Sequence, residues 1–266
     1  SSDVCSSDLN KADGMTYGIG AVYVFTRSGG TWSEQQKLLA SDKAGRDSFG
    51  NAVALSADGN TALIGAWNKS RTSGTVEGAA YVFTRSGGTW SEQQKLLSSD
   101  LDNPDHFGGA VALSADGNTA LVGADSKHDF SMAFSLEAGA AYVFTRSGGT
   151  WSQQQKLLAG DKESYDHFGK SAALSADGNI ALIGAYKKSS GTLSQNGAAY
   201  VYTRSAGKWT QLAALSASDK ASADRYGYSA ALSADGSLAL IGSYFNSEGG
   251  RSEERRVGKE CLRLCR

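Results

Sequence analysis

A near-constant period runs through this chain. The segment GAAYVFTRSGGTW begins at Gly78 and again at Gly139, with variants from Gly20 and Gly197, so that successive copies lie 58, 61 and 58 residues apart. The pairs Phe49-Gly50, Phe107-Gly108, Phe168-Gly169 and Tyr226-Gly227 keep step with it, as does the hexapeptide ALSADG at 54–59, 112–117, 173–178 and 231–236. A repeated unit of this size buries its apolar faces by stacking on its neighbours, so the period restricts the chain to an array.

Within one unit the pattern predicts four short strands. Residues 50–56 and 61–66 flank Asp58-Gly59, and an Asp-Gly pair between apolar runs marks a hairpin because both residues tolerate positive φ. The pairs Asp116-Gly117, Asp177-Gly178 and Asp235-Gly236 repeat the turn, while Gly50, Gly108, Gly169 and Gly227 open the first strand of each copy. Residues 79–85 form a third strand rich in aromatic and β-branched side chains. A Gly-Gly turn then leads to TWSEQQKLL at 89–97, whose residues favour helix intrinsically but whose polar character also suits an edge strand. We take it as an edge strand, with a short helix as the alternative.

The third strand shows how the units pack. Ala79, Tyr81 and Phe83 fall on one face and Ala80 and Val82 on the other, so both faces are apolar, whereas a sheet with one wet face alternates more cleanly. Sheets covered on both sides and repeated at a fixed period point to blades around an axis, an all-β propeller of four-stranded antiparallel blades. Solenoid coils are shorter than this unit, and separate sandwiches need more strands. The tryptophans at one repeat position, Trp32, Trp90, Trp151 and Trp209, are read as packing between blades.

The two ends depart from the pattern. Residues 1–9 and 251–266 hold all three cysteines, Cys5, Cys261 and Cys265, and resemble translated sequencing-adapter read-through; a natural basic tail, with six Lys/Arg against three Asp/Glu, is the other reading. Residues 10–250 are then the repeat domain, without a disulfide framework or a cysteine-based zinc site. No apolar run is long enough to span a bilayer, and a net charge of −1 offers no electrostatic footprint for nucleic acid.

FGNAVALSADGNTALIGAW followed by GAAYVFTRSGGTW resembles the FG-GAP repeat of the integrin α-subunit propeller, most closely its bacterial branch. The resemblance covers essentially residues 18–245. By that family's convention the Phe-Gly strand is innermost and the Trp strand outermost, which divides the chain into a half blade (20–39), three complete blades (49–97, 107–158, 168–216) and a second half blade (226–243). The resemblance implies part of a seven-bladed propeller; pairing of the two halves into a closed four-bladed ring is the alternative. It also implies a binding or adhesion module, extracellular or at the cell surface.

Many repeats of this family hold calcium in a D-x-D-x-D-G loop between the first two strands. Calcium needs six to eight oxygens, and Ser56-Ala57-Asp58-Gly59 offers one carboxylate, as does Ser114-Ala115-Asp116. No metal and no cofactor are expected here. The loops leading into each blade place two aspartates five apart, Asp42/Asp47, Asp100/Asp105, Asp161/Asp166 and Asp219/Asp224. These suit either a weak cation site or, more simply, turns fixed by backbone N–H bonds to Asp.

The loops between the second and third strands, 67–77, 125–138 and 186–196, differ while their flanks barely change, and repeat proteins place such variation on their binding face. The candidate ligand-binding residues are therefore Trp67, Asp125, Tyr186 and Tyr244, which share one repeat position and whose aromatic members equally suit packing against the next blade, together with His128 beside Asp125 and Asp129, for which the plainer reading is a solvated loop. His106 and His167 align with Ser48 and Arg225, so no common role follows for them. No phosphate loop, nucleophile elbow or zinc motif is present, and no catalytic residues are expected. The chain reads as a non-enzymatic module for a protein or glycan ligand; a polysaccharide-acting enzyme and a structural spacer are the alternatives.

Overall fold

The computed structural model describes residues 17–70, 75–100, 104–128 and 136–245, with the backbone of Ser2–Ser7. Strands β1 (Ser2–Ser7), β2 (Val22–Ser28) and β3 (Thr31–Leu38) form a first, three-stranded sheet. Three four-stranded antiparallel blades follow. The first is β4 (Val53–Leu55), β5 (Thr61–Ala66), β6 (Ala79–Ser86) and β7 (Thr89–Leu96). The second is β8 (Phe107–Leu113), β9 (Thr119–Ala124), β10 (Ala140–Ser147) and β11 (Thr150–Leu157). The third is β12 (Phe168–Leu174), β13 (Ile180–Ala185), β14 (Ala198–Ser205) and β15 (Lys208–Leu215). β16 (Tyr226–Leu232) and β17 (Ala239–Ser243) form a final two-stranded sheet. The described residues contain no helix, and the fold is a β-propeller.

The leader-like segment takes part in this architecture. β1 pairs antiparallel with β2, in the position that the second strand holds in each complete blade.

The TWSEQQKL segments are outer strands, not helices. Each pairs with the third strand across a bulge, Val82 facing Gln94 and Phe83 facing Glu92, which leaves Gln93 as the extra residue. The first strand is shorter in the first blade than its sequence suggests. There β4 starts at Val53, and ahead of it Gly50 donates to the Gly65 carbonyl at 2.8 Å and Asn51 to the Ser48 carbonyl.

Both faces of the third strand are covered, as its composition requires. Ala79, Tyr81 and Phe83 pack with Val22, Val24 and Phe49, while Ala80 and Val82 pack with Phe107, Tyr142 and Phe144 of the next blade. Each Phe of a Phe-Gly pair meets a Tyr ring edge-on, Phe49 to Tyr81 and Phe107 to Tyr142 both at 5.5 Å.

Blades are also joined by polar contacts that recur in register. The Gln94 amide donates to the Trp151 carbonyl (2.9 Å) and accepts from the Trp151 N–H (2.8 Å), extending the outer strand's hydrogen bonding to the next blade. Gln36 and Gln155 do the same to Trp90 and Trp209. The third blade holds Ala213 at this position. With two hydrogen bonds lost, Gln94→Ala is expected to lower stability by about 1–2 kcal/mol, read as a lower urea midpoint, while Ala213→Gln leaves the midpoint nearly unchanged. The Trp rings fill the same joint: Trp90, Trp151 and Trp209 are buried and Trp32, in the first sheet, is partly exposed.

Candidate functional site

The Asp-Gly turns hold their carboxylates within the turn. Asp58 accepts from the Ser56 hydroxyl (2.5 Å), the Asn60 N–H (3.0 Å) and the Asn60 side-chain amide (3.1 Å), and the Ser56 oxygen in turn accepts from the Thr61 N–H. Asp116 and Asp177 repeat every one of these contacts. The Ser56 hydroxyl and Asn60 N–H bonds hold Asp58 below the usual carboxylate range, and equivalent bonds from Ser233 and Ser237 bring Asp235 down to about 2. Turn also binds turn: the Ala57 N–H donates to Ala115, Ala115 to Ala176, and Ala176 to Ala234. The carboxylate's acceptor sites are thus engaged by its own turn, which identifies the pair as a hairpin and a joint between blades.

In the loops leading into the blades the paired aspartates do surround a cation, and the cation is a lysine. Lys69 Nζ lies 2.8 Å from Asp47 Oδ2 and donates to the Asp42 carbonyl, with 5 % and 2 % of the Lys69 and Asp47 side chains exposed. Asp47 also accepts from the Ala44 N–H at 2.6 Å, the turn-fixing bond expected of it. Asp42 accepts from the Tyr81 hydroxyl (2.7 Å) and from Lys95 (2.8 Å). Burial would raise Asp42, but those two donors bring it below its ordinary value, while burial and the bond to Asp42 push Tyr81 far up. Lys127 with Asp105 (3.0 Å) and Lys188 with Asp166 (3.2 Å) rebuild the arrangement. Burial pushes Asp166 up to about 6, against the Glu163 N–H and Lys188.

Sequence reasoning missed these lysines although a signal was present. Lys69, Lys127 and Lys188 each stand three residues after the Ala that ends the second strand, inside loops that otherwise differ. In the fourth copy that position is 246, outside the described residues.

On the same side of the propeller, where first strands begin and second strands end, a cleft of about 410 Å³ spans the joints between blades. Its lining includes Trp67, His106, Asp125, His167, Lys170 and Tyr186. Three of the predicted residues, Trp67, Asp125 and Tyr186, therefore share one cavity. Trp67 and Tyr186 pack on the adjoining copy as well: Trp67 meets the His106 ring edge-on at 4.6 Å and Tyr186 meets Tyr228 at 5.5 Å. Tyr244 lies beyond the cleft, half exposed, 4.4 Å from Tyr228 and bonded to Arg225. His128 is partly buried and does not line the cavity, and Asp129 lies outside the described residues.

The absence of a shared role for His106 and His167 is corrected by the structure. They come from adjacent blades and converge on Asp125, His106 Nδ1 at 3.4 Å from Oδ1 and His167 Nδ1 at 4.0 Å from Oδ2, with Lys170 Nζ at 3.7 Å. The Ser126 hydroxyl lies 2.8 Å from His106 Nδ1. Burial alone would raise the Asp125 carboxyl, but His106, Lys170 and His167 hold it below its ordinary value. His167 is pushed down by burial and then by the Lys187 ammonium. The site thus combines an ionised carboxylate, an ammonium, two imidazoles and two aromatic walls. Among the described residues no group of three His, Cys, Asp or Glu has the arrangement of a metal site.

Comparison with known proteins finds a family model described as FG-GAP repeat at residues 32–83, 90–144, 151–202 and 209–255. No curated protein matches the chain. Among solved structures, the crystal structure of TolB from Acinetobacter baumannii aligns over 84 % of this chain and 42 % of its own length, at 16 % identity and a TM-score of 0.44. The chain thus spans less than half of that protein.

Proposed function

This chain belongs to the FG-GAP repeat family, and from that premise we propose that it is a non-enzymatic binding module acting outside the cell, which presents one propeller face to a protein or glycan ligand. The observation that carries the reading is the cleft. It opens on the side where the loops between second and third strands differ from copy to copy, and it is walled by Trp67 and Tyr186 from two of those loops. A rigid scaffold with variable loops around a partly apolar cavity is the arrangement of a recognition site. The repeat type is characteristic of extracellular proteins. No helix among the described residues is long and apolar enough to cross a membrane.

The test is binding of the purified chain to a glycan array and to immobilised collagen, fibronectin and fibrinogen. At least one ligand is expected to bind and to lose affinity by about tenfold or more in Trp67→Ala and Tyr186→Ala. Binding indifferent to both substitutions, or no binding to any member of the panel, would overturn the reading. A second reading, an enzyme acting on polysaccharide, draws on Asp125 and its two imidazoles. Release of soluble sugar from a polysaccharide, abolished by Asp125→Asn, would establish that reading instead.

A further inference from the structure

We propose that the cleft between Trp67 and Tyr186 takes a neutral sugar ring whose hydroxyls bond to Asp125 and Lys170. The assignment rests on the binding-module reading and adds the chemical class of the ligand.

The first argument is the spacing of the polar groups. Asp125 is only 13 % exposed, yet His106, Lys170 and His167 approach its oxygens at 3.4, 3.7 and 4.0 Å, all longer than a good hydrogen bond. His106 Nδ1 is engaged by the Ser126 hydroxyl at 2.8 Å, whereas the Lys170 ammonium and the Asp125 carboxylate are held near one another without closing on one another. An oxygen placed at about 2.8 Å from each of two such atoms bridges the gap. The group that can do so must donate to the carboxylate and accept from the ammonium at once, and a hydroxyl is the group with one donor and two acceptor positions. His167 supports the same conclusion: its side chain is 7 % exposed and, among the described residues, its Nδ1 has no hydrogen-bond partner. Its Nε2 is engaged, 3.1 Å from both Glu137 and Lys187.

The second argument is charge. A cationic ligand would face Lys170, with Lys187 behind it, and an anionic one would face Asp125, with Glu137 nearby, so neither sign is favoured. Asn51 adds no free group, since its amide donates to the Gly108 and Gly109 carbonyls and its oxygen accepts from the Trp67 N–H.

The third argument is shape. The volume of about 410 Å³ falls in the ~300–1,000 Å³ range of small-ligand sites, which combine aromatic walls with a few oriented polar groups. The C–H face of a pyranose is apolar and its edge carries hydroxyls, which matches rings on the walls and Asp125 with Lys170 between them.

The experiment is isothermal titration calorimetry of the full chain with methyl mannoside, methyl galactoside, methyl fucoside and, as the acidic counterpart, methyl glucuronide. At least one neutral glycoside is expected to saturate the chain and the glucuronide to bind at least about tenfold more weakly. Asp125→Asn and Trp67→Ala should each weaken the neutral glycoside by about tenfold or more. Lys170→Ala, at a partly exposed position, gives the same readout if Asp125→Asn fails to fold. Binding of the glucuronide alone, or neutral binding undiminished in Trp67→Ala and Lys170→Ala, overturns the proposal. If no neutral glycoside binds while collagen, fibronectin or fibrinogen still depends on Trp67 and Tyr186, the sugar assignment falls and the binding module stands. If nothing binds, both fall.

Discussion

Gly123→Ala is expected to destabilise the chain by at least about 4 kcal/mol, because the added methyl group meets the backbone of the next blade. Gly123 lies in β9, and an added Cβ would overlap the carbonyl oxygen of Gly169 in the next blade while also crowding Ala110. The obstacle is backbone, which cannot swing aside as a side chain does. Gly65 against Gly108 and Gly184 against Gly227 form the same approach at the neighbouring joints. Gly123 does not adopt a positive φ, so its cost is steric alone. The contrast is Gly148, which has a φ of 55° but nothing within 4 Å of its would-be Cβ, and where Ala should cost only about 1–2 kcal/mol. Urea unfolding of both variants checks this. Equal midpoints for the two would show that the blades can separate slightly at no cost.

The second large effect is expected from Lys69→Met. The substitution keeps most of the volume and removes the ammonium beside Asp47, leaving a carboxylate that is almost fully enclosed. Removing one member of a buried pair costs about 3–5 kcal/mol, because the remaining charge is uncompensated. At about 2–4 °C per kcal/mol for a chain of this size, the melting temperature should fall by roughly 10 °C. Asp47→Asn in the same chain should restore most of the loss, since Asn still accepts the Ala44 N–H and carries no charge. Thermal melts of the two single variants and the double variant decide it: additive losses, without recovery, would mean that the lysine acts through packing and not through its charge.

Much of the fold was legible because a period multiplies every weak local signal. One Asp-Gly pair is a hint, and four at fixed spacing place the turn between first and second strands in each copy. The apolar two-sided pattern of Ala79–Phe83 led correctly to stacked sheets. The edge strand at Thr89 was harder, because its residues favour helix; pairing along β6 and the amide contacts of Gln94 with Trp151 override that preference. What stayed hidden were contacts between copies. His106 and His167 are equivalent residues of different blades, and only the geometry around the axis brings both to Asp125. Lys69 and Asp47 are 22 residues apart, joined by loops whose composition says nothing of burial. The aspartate pairs raised the question of a cation, yet a ligand supplied by the chain itself does not follow from aspartate spacing. Trp67 and Tyr186 were singled out by position, and that position also packs them on the next copy.

The joints between blades use equivalent residues again and again: an amide to a Trp main chain, a turn N–H to the next turn's carbonyl, a glycine against a glycine carbonyl. Because these contacts recur from joint to joint, a unit can be duplicated or deleted in the gene with most of the surface it needs already present. Copy number in such a chain is free to drift by recombination, while the loops at the cleft diverge unit by unit.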